Sequence, residues 1–183
     1  MKRTASFKRG IAQVKREWRA ACYDQALSAL NRLLKEWPDN PRLLTMWGNL
    51  VQLQSEESGP TLDEAQAALR RAVELDDDSP GAWKELGHFL SAVEDDAGGA
   101  SRCFDKTISL CKSMLAEALL ANAQSLTELE RPEEALACIA EAYWLQSHNG
   151  KTNGSEGSHI LDRLNELAKT APVVLSSPSG VVR

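Results

Sequence analysis

The chain has 183 residues, of which 43% are apolar, and a formal net charge of -5. The apolar fraction excludes a chain that is disordered throughout, and no uninterrupted apolar run approaches the ~20 residues of a membrane-spanning helix. Charge is uneven, because residues 1–19 hold seven Lys or Arg and one Glu, which leaves 14 basic and 25 acidic residues for the remainder. A basic start on an acidic body indicates contact with an anionic partner or with the body itself, or simply a solvated helix face.

The N-terminal segment is predicted to be an amphipathic helix. Phe7, Ile11, Val14 and Trp18 form an apolar stripe at helical spacing. The segment lacks the contiguous apolar stretch of a secretory signal, and its loose similarity to a mitochondrial presequence is outweighed by a stripe that continues into the folded body. We therefore expect a cytoplasmic protein.

Four cysteines lack the spacing of a metal or redox site. There is no CxxC pair and no nearby pair of histidines, so neither zinc nor disulfide chemistry is indicated, and no cofactor is expected. In a chain without an export signal they are predicted to be buried thiols in a reducing compartment. They are Cys22, Cys103, Cys111 and Cys138.

A repeating helical pattern follows in chain order. Each of four segments has an alanine, a large apolar residue four positions later and a third stripe residue three positions after that, which places all three on one helical face. The last three alanines are 35 residues apart. The alanines are Ala26, Ala65, Ala100 and Ala135, and the large residues are Leu30, Leu69, Phe104 and Ile139.

Another helix is predicted ahead of each alanine, with a turn between the two. It is the first helix of its hairpin, and the helix that contains the alanine is the second. Gly48 and Gly87 recur inside these first helices, and Ala123 takes the same place in the last one. Glycine inside a helix costs about 1 kcal/mol relative to alanine, so its presence predicts close approach of a neighbouring helix. Proline and a preceding capping residue mark helix starts at Asn40-Pro41 and Ser79-Pro80.

The pattern ends after Gln146. Residues 147–157 are predicted to form a polar loop, and residues 158–170 an amphipathic capping helix over the last repeat. Residues 171–183 contain two prolines and form a tail, either flexible or extended on a surface.

These segments resemble tetratricopeptide repeats. AWKELG at Ala82–Gly87 matches the W-x-x-L-G signature of that family, and Ala100 and Phe104 match its later anchors. The resemblance covers about residues 6–146 and is weakest in the first unit, where Gly10 replaces the aromatic residue. It implies an all-α, right-handed superhelical stack of about four antiparallel helix hairpins with a C-terminal capping helix.

The resemblance also implies a function. Members of the family bind proteins or peptides in a concave groove lined by the first helix of each repeat, so we expect a non-catalytic adaptor or scaffold. Equivalent groove positions here include Ile11, Glu85 and Leu120, and a recurrent polar position that can bond the main chain of an extended peptide. The predicted groove residues are Lys15, Arg42, Thr45, Asn49, Lys84, His88, Gln124 and Glu128.

Other functions are less favoured by the residues. No nucleophile motif or phosphate-binding glycine loop is present, which argues against catalysis. Chaperone-binding members of the family hold a C-terminal carboxylate with a cluster of cationic and amide side chains. Neither of two alignments of the repeats places the cationic side chains of that cluster in this sequence. Trp47 and Trp83 are assigned to core packing, whereas Trp37 and Trp144 offer a rival convex surface. One alternative is a self-associating module. Another is a basic N-terminal helix that docks to a membrane or nucleic acid, although both of these anionic surfaces are disfavoured. The partner protein is unidentified.

Overall fold

The computed structural model describes residues 2–55 and 59–147. Within these ranges the chain forms seven α-helices and no β-strand, so the prediction of an all-α fold is confirmed. The predicted capping helix 158–170, the tail 171–183 and all but Ser147 of the predicted loop lie outside the described residues. The helices are α1 (Lys2–Arg19), α2 (Tyr23–Glu36), α3 (Pro41–Val51), α4 (Leu62–Leu75), α5 (Pro80–Ala92), α6 (Ala97–Glu128) and α7 (Pro132–Ser147).

Local sequence signals fix the starts of the central helices. The Asn40 side chain caps α3 by accepting the Leu43 N–H at 3.1 Å, and the Ser79 side chain caps α5 in the same way. At the start of α4, Thr61 and Glu64 form a reciprocal capping box. Each cap satisfies a backbone N–H that has no partner inside its helix. The two caps predicted at proline-started helices are therefore confirmed.

The chain divides into two compact units between Ile108 and Ser109, and the described parts of these units are residues 2–55 with 59–108 (unit 1) and residues 109–147 (unit 2). In the first unit α1 packs on α2, α2 on α3, α3 on α4 and α4 on α5, and α3 also contacts α5. One continuous core results, because each helix buries part of its apolar face against the next. Its fully buried large side chains include Leu30, Leu43, Leu50, Leu69 and Phe89.

The glycines of the first helices lie where a second helix approaches most closely. A Cβ atom at Gly48 would stand 2.6 Å from Leu69 Cγ, and one at Gly87 would stand 2.8 Å from Phe104 Cε1. Neither distance leaves room for a Cβ atom at the glycine unless the neighbouring side chain moves. The predicted packing reason for these glycines is confirmed.

Equivalent ion pairs also recur in two successive hairpins. Arg71 on α4 pairs with Asp39 at 3.4 Å, and Lys106 on α6 pairs with Asp77 at 3.6 Å. In both cases a second helix reaches back to the turn before its own first helix. Both pairs are exposed and contribute little energy, but they show that the two hairpins are built alike.

Helix α6 differs from the prediction. A turn is predicted between the segments 99–114 and 117–126, whereas the structure has one helix from Ala97 to Glu128. No glycine or proline occurs from Ala100 to Arg131, so nothing in the sequence interrupts helical hydrogen bonding there. The boundary between the two units falls within this helix.

The second unit contains a helical hairpin of α6 and α7. Ala116 and Leu120 pack with Ala142, and Ala123 and Leu126 pack with Ala135. Small residues on both helices allow the close approach that the alanine positions predict. The recurrent alanines at positions 123 and 135 therefore lie in the core of this unit.

Three helix ends turn through a left-handed residue that is not glycine. These residues are Ala21 (φ 56°), Asp95 (φ 53°) and Glu130 (φ 57°). After Ala21, the Cys22 N–H donates to the Glu17 carbonyl at 2.9 Å, and an equivalent bond follows Glu130. This pattern satisfies the last helical carbonyls, but a residue with a Cβ atom is strained in it.

Candidate functional site

The predicted groove residues fall into two groups. Six of them, Lys15, Arg42, Thr45, Asn49, Lys84 and His88, lie on the first helices α1, α3 and α5 of unit 1, and we call these six residues the first-helix surface. Gln124 and Glu128 lie on α6 in unit 2, where both are exposed. The two groups are considered separately below.

A polar network joins α3 to α5 within the first-helix surface. Asn49 Nδ2 donates to Glu85 Oε2 at 3.0 Å, and Lys84 Nζ pairs with Glu85 Oε1 at 2.9 Å. The Glu85 carboxylate thus holds two predicted groove residues from two different helices. Glu85 is the partner of both, and it is itself one of the groove positions that the family resemblance implies. It follows Asn49 by 36 residues, close to one repeat period.

Two further residues of this surface are held locally. The Thr45 hydroxyl donates to the Pro41 carbonyl of its own helix at 2.9 Å. His88 is exposed, and its ring meets Phe104 edge to face at a centroid distance of 5.2 Å. The aromatic contact therefore positions the imidazole of this exposed residue.

Basic side chains on α1 and at the start of α3 are exposed without a partner. Lys15 and Arg42 make no hydrogen bond or ion pair with any other residue that the structure describes, and the same holds for Lys8 and Arg19. The exception on α1 is Arg16, which pairs with the adjacent Glu17 at 2.9 Å. The positive charge of α1 is thus left largely uncompensated.

Two residues of the wider groove prediction are wrong. Ile11 is 9% exposed and Leu120 is 1% exposed, and each lies in the apolar core of its own unit. Both belong to the inward stripe of their helices, which lies beside the predicted groove positions. They cannot contact a ligand without unfolding.

An aromatic slot lies at the N-terminal end of α1. Phe7 and Trp37 meet edge to face at 4.9 Å, and Thr4, Phe7, Trp37 and Asn40 line an open depression of about 410 Å³. Phe7 and Trp37 are about 30 residues apart in the chain, so no local motif predicts the slot. Its walls are two half-buried aromatic rings and two polar side chains.

Four tryptophans lie as the sequence predicts, two of them against the core and two at least partly exposed. Trp47 and Trp83 are half-buried against the core, with indole N–H groups donating to Asn31 Oδ1 and the Asp77 carbonyl. Trp144 on α7 is 57% exposed. Trp37 is half-buried in the aromatic slot.

The cysteines only partly match the prediction of buried thiols. All four are free, and burial raises the pKa of the Cys103 thiol above its ordinary value. Cys111, in contrast, is exposed on α6, so its predicted burial is wrong. The reason is that Cys111 lies outside the packed stripe of that helix, which includes Ala116 and Leu120.

The described part of the chain offers neither a metal-ligand cluster nor a membrane-spanning helix. Residues 2–55 and 59–147 contain no group of three or more His, Cys, Asp or Glu side chains placed to hold a metal ion. None of the helices in these ranges is long and apolar enough to cross a membrane.

Comparisons with known proteins give one sequence relative. The chain is 37% identical over 57 residues to a TPR repeat-containing protein of Dictyostelium discoideum. The match covers 31% of this chain, which spans only about a fifth (20%) of that relative's length. No protein-family model matches the chain.

Two solved structures of MamA were also found. One shares 18% identity with a TM-score of 0.49 and covers 97% of this chain and 99% of its own. The other shares 18% identity with a TM-score of 0.46 and covers 85% and 94%. The sequence relative, together with the paired helices and their repeated glycine contacts, confirms the predicted resemblance to tetratricopeptide repeats.

Proposed function

We propose that this chain is a non-catalytic, cytoplasmic protein-binding module that holds an extended segment of its partner on the first-helix surface of unit 1. The observation that carries this proposal is the network of Asn49, Glu85 and Lys84 between α3 and α5. Repeat folds of this kind serve as protein-interaction scaffolds, because stacked hairpins present a continuous row of first helices.

The network favours binding because it orients polar groups before a ligand arrives. Glu85 uses one Asn49 donor and one Lys84 donor, which leaves the Asn49 carbonyl oxygen and further N–H groups for another chain. Side chains that are already ordered lose less conformational entropy on binding, and so a larger share of their interaction energy appears as affinity. His88, one turn further along α5, extends the same row.

Peptide selection tests this proposal without assuming the ligand. Random peptides displayed on phage are selected on the immobilised chain, and their binding is then measured on a variant with Asn49→Ala and His88→Ala. We expect at least about a tenfold loss of affinity, the effect of losing one to two hydrogen bonds with partly ordered groups. Circular dichroism verifies that the variant keeps its helices.

A matched control separates a site effect from a general effect. Ser28→Ala and Arg70→Ala change two exposed residues on the second helices α2 and α4. This control variant should bind the selected peptides as wild type does. If the two variants bind equally well, the first-helix assignment is wrong.

A second candidate function is self-association through α7. Tyr143 and Trp144 are 56% and 57% exposed, and Leu136 lies exposed two turns before Tyr143. The predicted capping helix 158–170 is the rival occupant of this face. Light scattering over a concentration series distinguishes them when it is combined with acrylamide quenching of tryptophan emission. A dimer whose Trp144 is shielded supports self-association. A monomer whose Trp144 is shielded supports the capping helix.

A further inference from the structure

Three unpaired bases of α1 and Thr4 form a row on one side of the helix. At 100° per residue, Thr4, Lys8, Lys15 and Arg19 fall within an arc of about 60°. All four are exposed, and the three bases make no ion pair with any residue in the described ranges. Although the chain has a net charge of -5, no carboxylate in the described ranges acts as a neutralising partner for this row. An anionic ligand outside the chain would supply one.

The aromatic slot lies at the head of this row. Thr4 both begins the row and lines the slot with Phe7, Trp37 and Asn40. The open depression of about 410 Å³ is large enough to admit a large apolar side chain and too small for a folded domain. A ligand that fills the slot therefore continues directly along the bases.

The length of the row defines the ligand. Thr4 and Arg19 are separated by 15 positions, or about 22 Å at 1.5 Å per residue. An extended peptide rises about 3.3 Å per residue, so about seven residues span the row. Lys8 and Lys15 are about 10 Å apart, which corresponds to about three residues of the peptide.

We propose that the partner segment is an acidic extended peptide of about seven residues with one apolar side chain at an end, which enters the Phe7–Trp37 slot while its carboxylates pair with Lys8, Lys15 and Arg19. This inference rests on the proposed function and shares Lys15 with the first-helix surface. A peptide is favoured over nucleic acid because the slot admits a side chain, and because a short peptide fits within this row, whereas a longer polyphosphate would extend past it onto the acidic remainder of the chain.

Fluorescence anisotropy with designed peptides tests the ligand class. The probes are fluorescein-labelled peptides of about seven residues made of Glu and Ser with a leucine at either end. Matched peptides carry Gln in place of every Glu, or Gly in place of Leu. We expect the acidic leucine peptide to bind at least about tenfold more tightly than either, and its affinity to fall as NaCl rises from about 0.05 to about 0.5 M.

Two substitutions on α1 test the row itself. Lys15→Glu reverses a charge inside the row. Arg9→Glu reverses the charge of another exposed residue on the same helix, about 110° around the helix axis from the middle of the row. We expect Lys15→Glu to weaken binding of the acidic peptide about fivefold or more and Arg9→Glu to weaken it less than about twofold. Equal losses would show diffuse attraction to a basic helix and would overturn the proposal.

A third substitution tests the slot without touching the core. Thr4 is exposed, so Thr4→Trp fills the depression from its rim, and Thr4→Ser is the control. The tryptophan variant should lose the preference for leucine over glycine in the peptide, while the serine variant keeps it. If the tryptophan variant retains the preference, the apolar side chain binds elsewhere and the slot assignment is wrong.

Competing anionic ligands and the peptide selection complete the test. Phosphatidylserine vesicles or a DNA duplex that bind more tightly than the acidic peptide, with the same loss on Lys15→Glu, would replace the peptide as ligand. If phage-selected peptides require Asn49 and His88 but carry no acidic residues, the proposed function stands and this ligand class falls. If selection yields no peptide at all, the proposed function itself fails.

Discussion

Gly48 provides the sharpest test of how the repeats pack. Replacing it with alanine would place a Cβ atom 2.6 Å from Leu69 Cγ and 3.1 Å from the Ala65 carbonyl oxygen. Non-bonded carbon atoms prefer about 3.5–4.0 Å, so α3 and α4 must separate or Leu69 must leave its rotamer. The carbonyl belongs to a helix backbone and cannot move alone.

The expected magnitude is the difference between two effects. Overpacking a closely fitted core costs about 1–3 kcal/mol, and contact with backbone as well as side chain places Gly48→Ala in the upper part of that range. The gain in helix propensity from glycine to alanine offsets about 1 kcal/mol. We therefore expect the free energy of unfolding to fall by about 1–2 kcal/mol.

Gly81 in α5 is the matched control, because a Cβ atom there would meet only Ser79 Oγ at 4.0 Å. Gly81→Ala should leave the free energy of unfolding unchanged or raise it by up to about 1 kcal/mol. Urea unfolding followed by circular dichroism measures both, and at a slope of about 2 kcal/mol per M the Gly48 variant should unfold about 0.5–1 M earlier. A Gly48→Ala protein as stable as wild type would refute the packing explanation.

Three further expectations concern caps, turns and thiols. Thr61→Ala should lower the free energy of unfolding by about 1 kcal/mol by removing the α4 cap, whereas Thr61→Ser should be nearly neutral in the same urea assay. Ala21→Gly should raise it by about 1 kcal/mol, because glycine adopts φ 56° without strain; an unchanged or lower value would contradict that reason. Near pH 8 a thiol reagent should label exposed Cys111 rapidly and buried Cys103 only on unfolding, and labelling of both at one rate would contradict this difference in burial. Because burial raises the pKa of Cys103, the folded state should lose stability as pH rises past the range where an unfolded thiol ionises.

Short-range signals account for what the sequence predicts correctly. Asn40-Pro41 and Ser79-Pro80 start helices because a cap and a fixed φ act within four residues. The glycine positions predict close packing because glycine in a helix has an energetic cost that only a neighbour can compensate. Both kinds of signal are contained in one segment of chain.

Helix α6 shows where the repeat pattern is insufficient. The period places Ala100 and Ala135 correctly, but it does not supply a residue that ends a helix between them. Conversely, the α1–α2 and α6–α7 turns exist although Ala21 and Glu130 are not glycine. Packing imposes those turns, so local propensity does not reveal them.

The candidate site was predictable by helix face but not by contact. The family resemblance places Lys15, Asn49 and Lys84 on the first helices, where Lys15 and Lys84 are exposed and Asn49 is half-buried. It cannot indicate that Glu85 bridges two of them, since that contact depends on the distance between helices. Ile11 was misplaced for a related reason, because an error of a few tens of degrees about the helix axis moves a side chain from the groove to the core.

The strained turns also bear on the order in which the chain folds. A turn held by a left-handed alanine or glutamate is rarely sampled in the unfolded chain, which slows the first encounter of α1 with α2 and of α6 with α7. Helices α3 and α4, in contrast, have side-chain caps that form from local residues alone and pack closely through Gly48. We expect the folding nucleus in this central hairpin, with high φ-values there, and later addition of the outer helices.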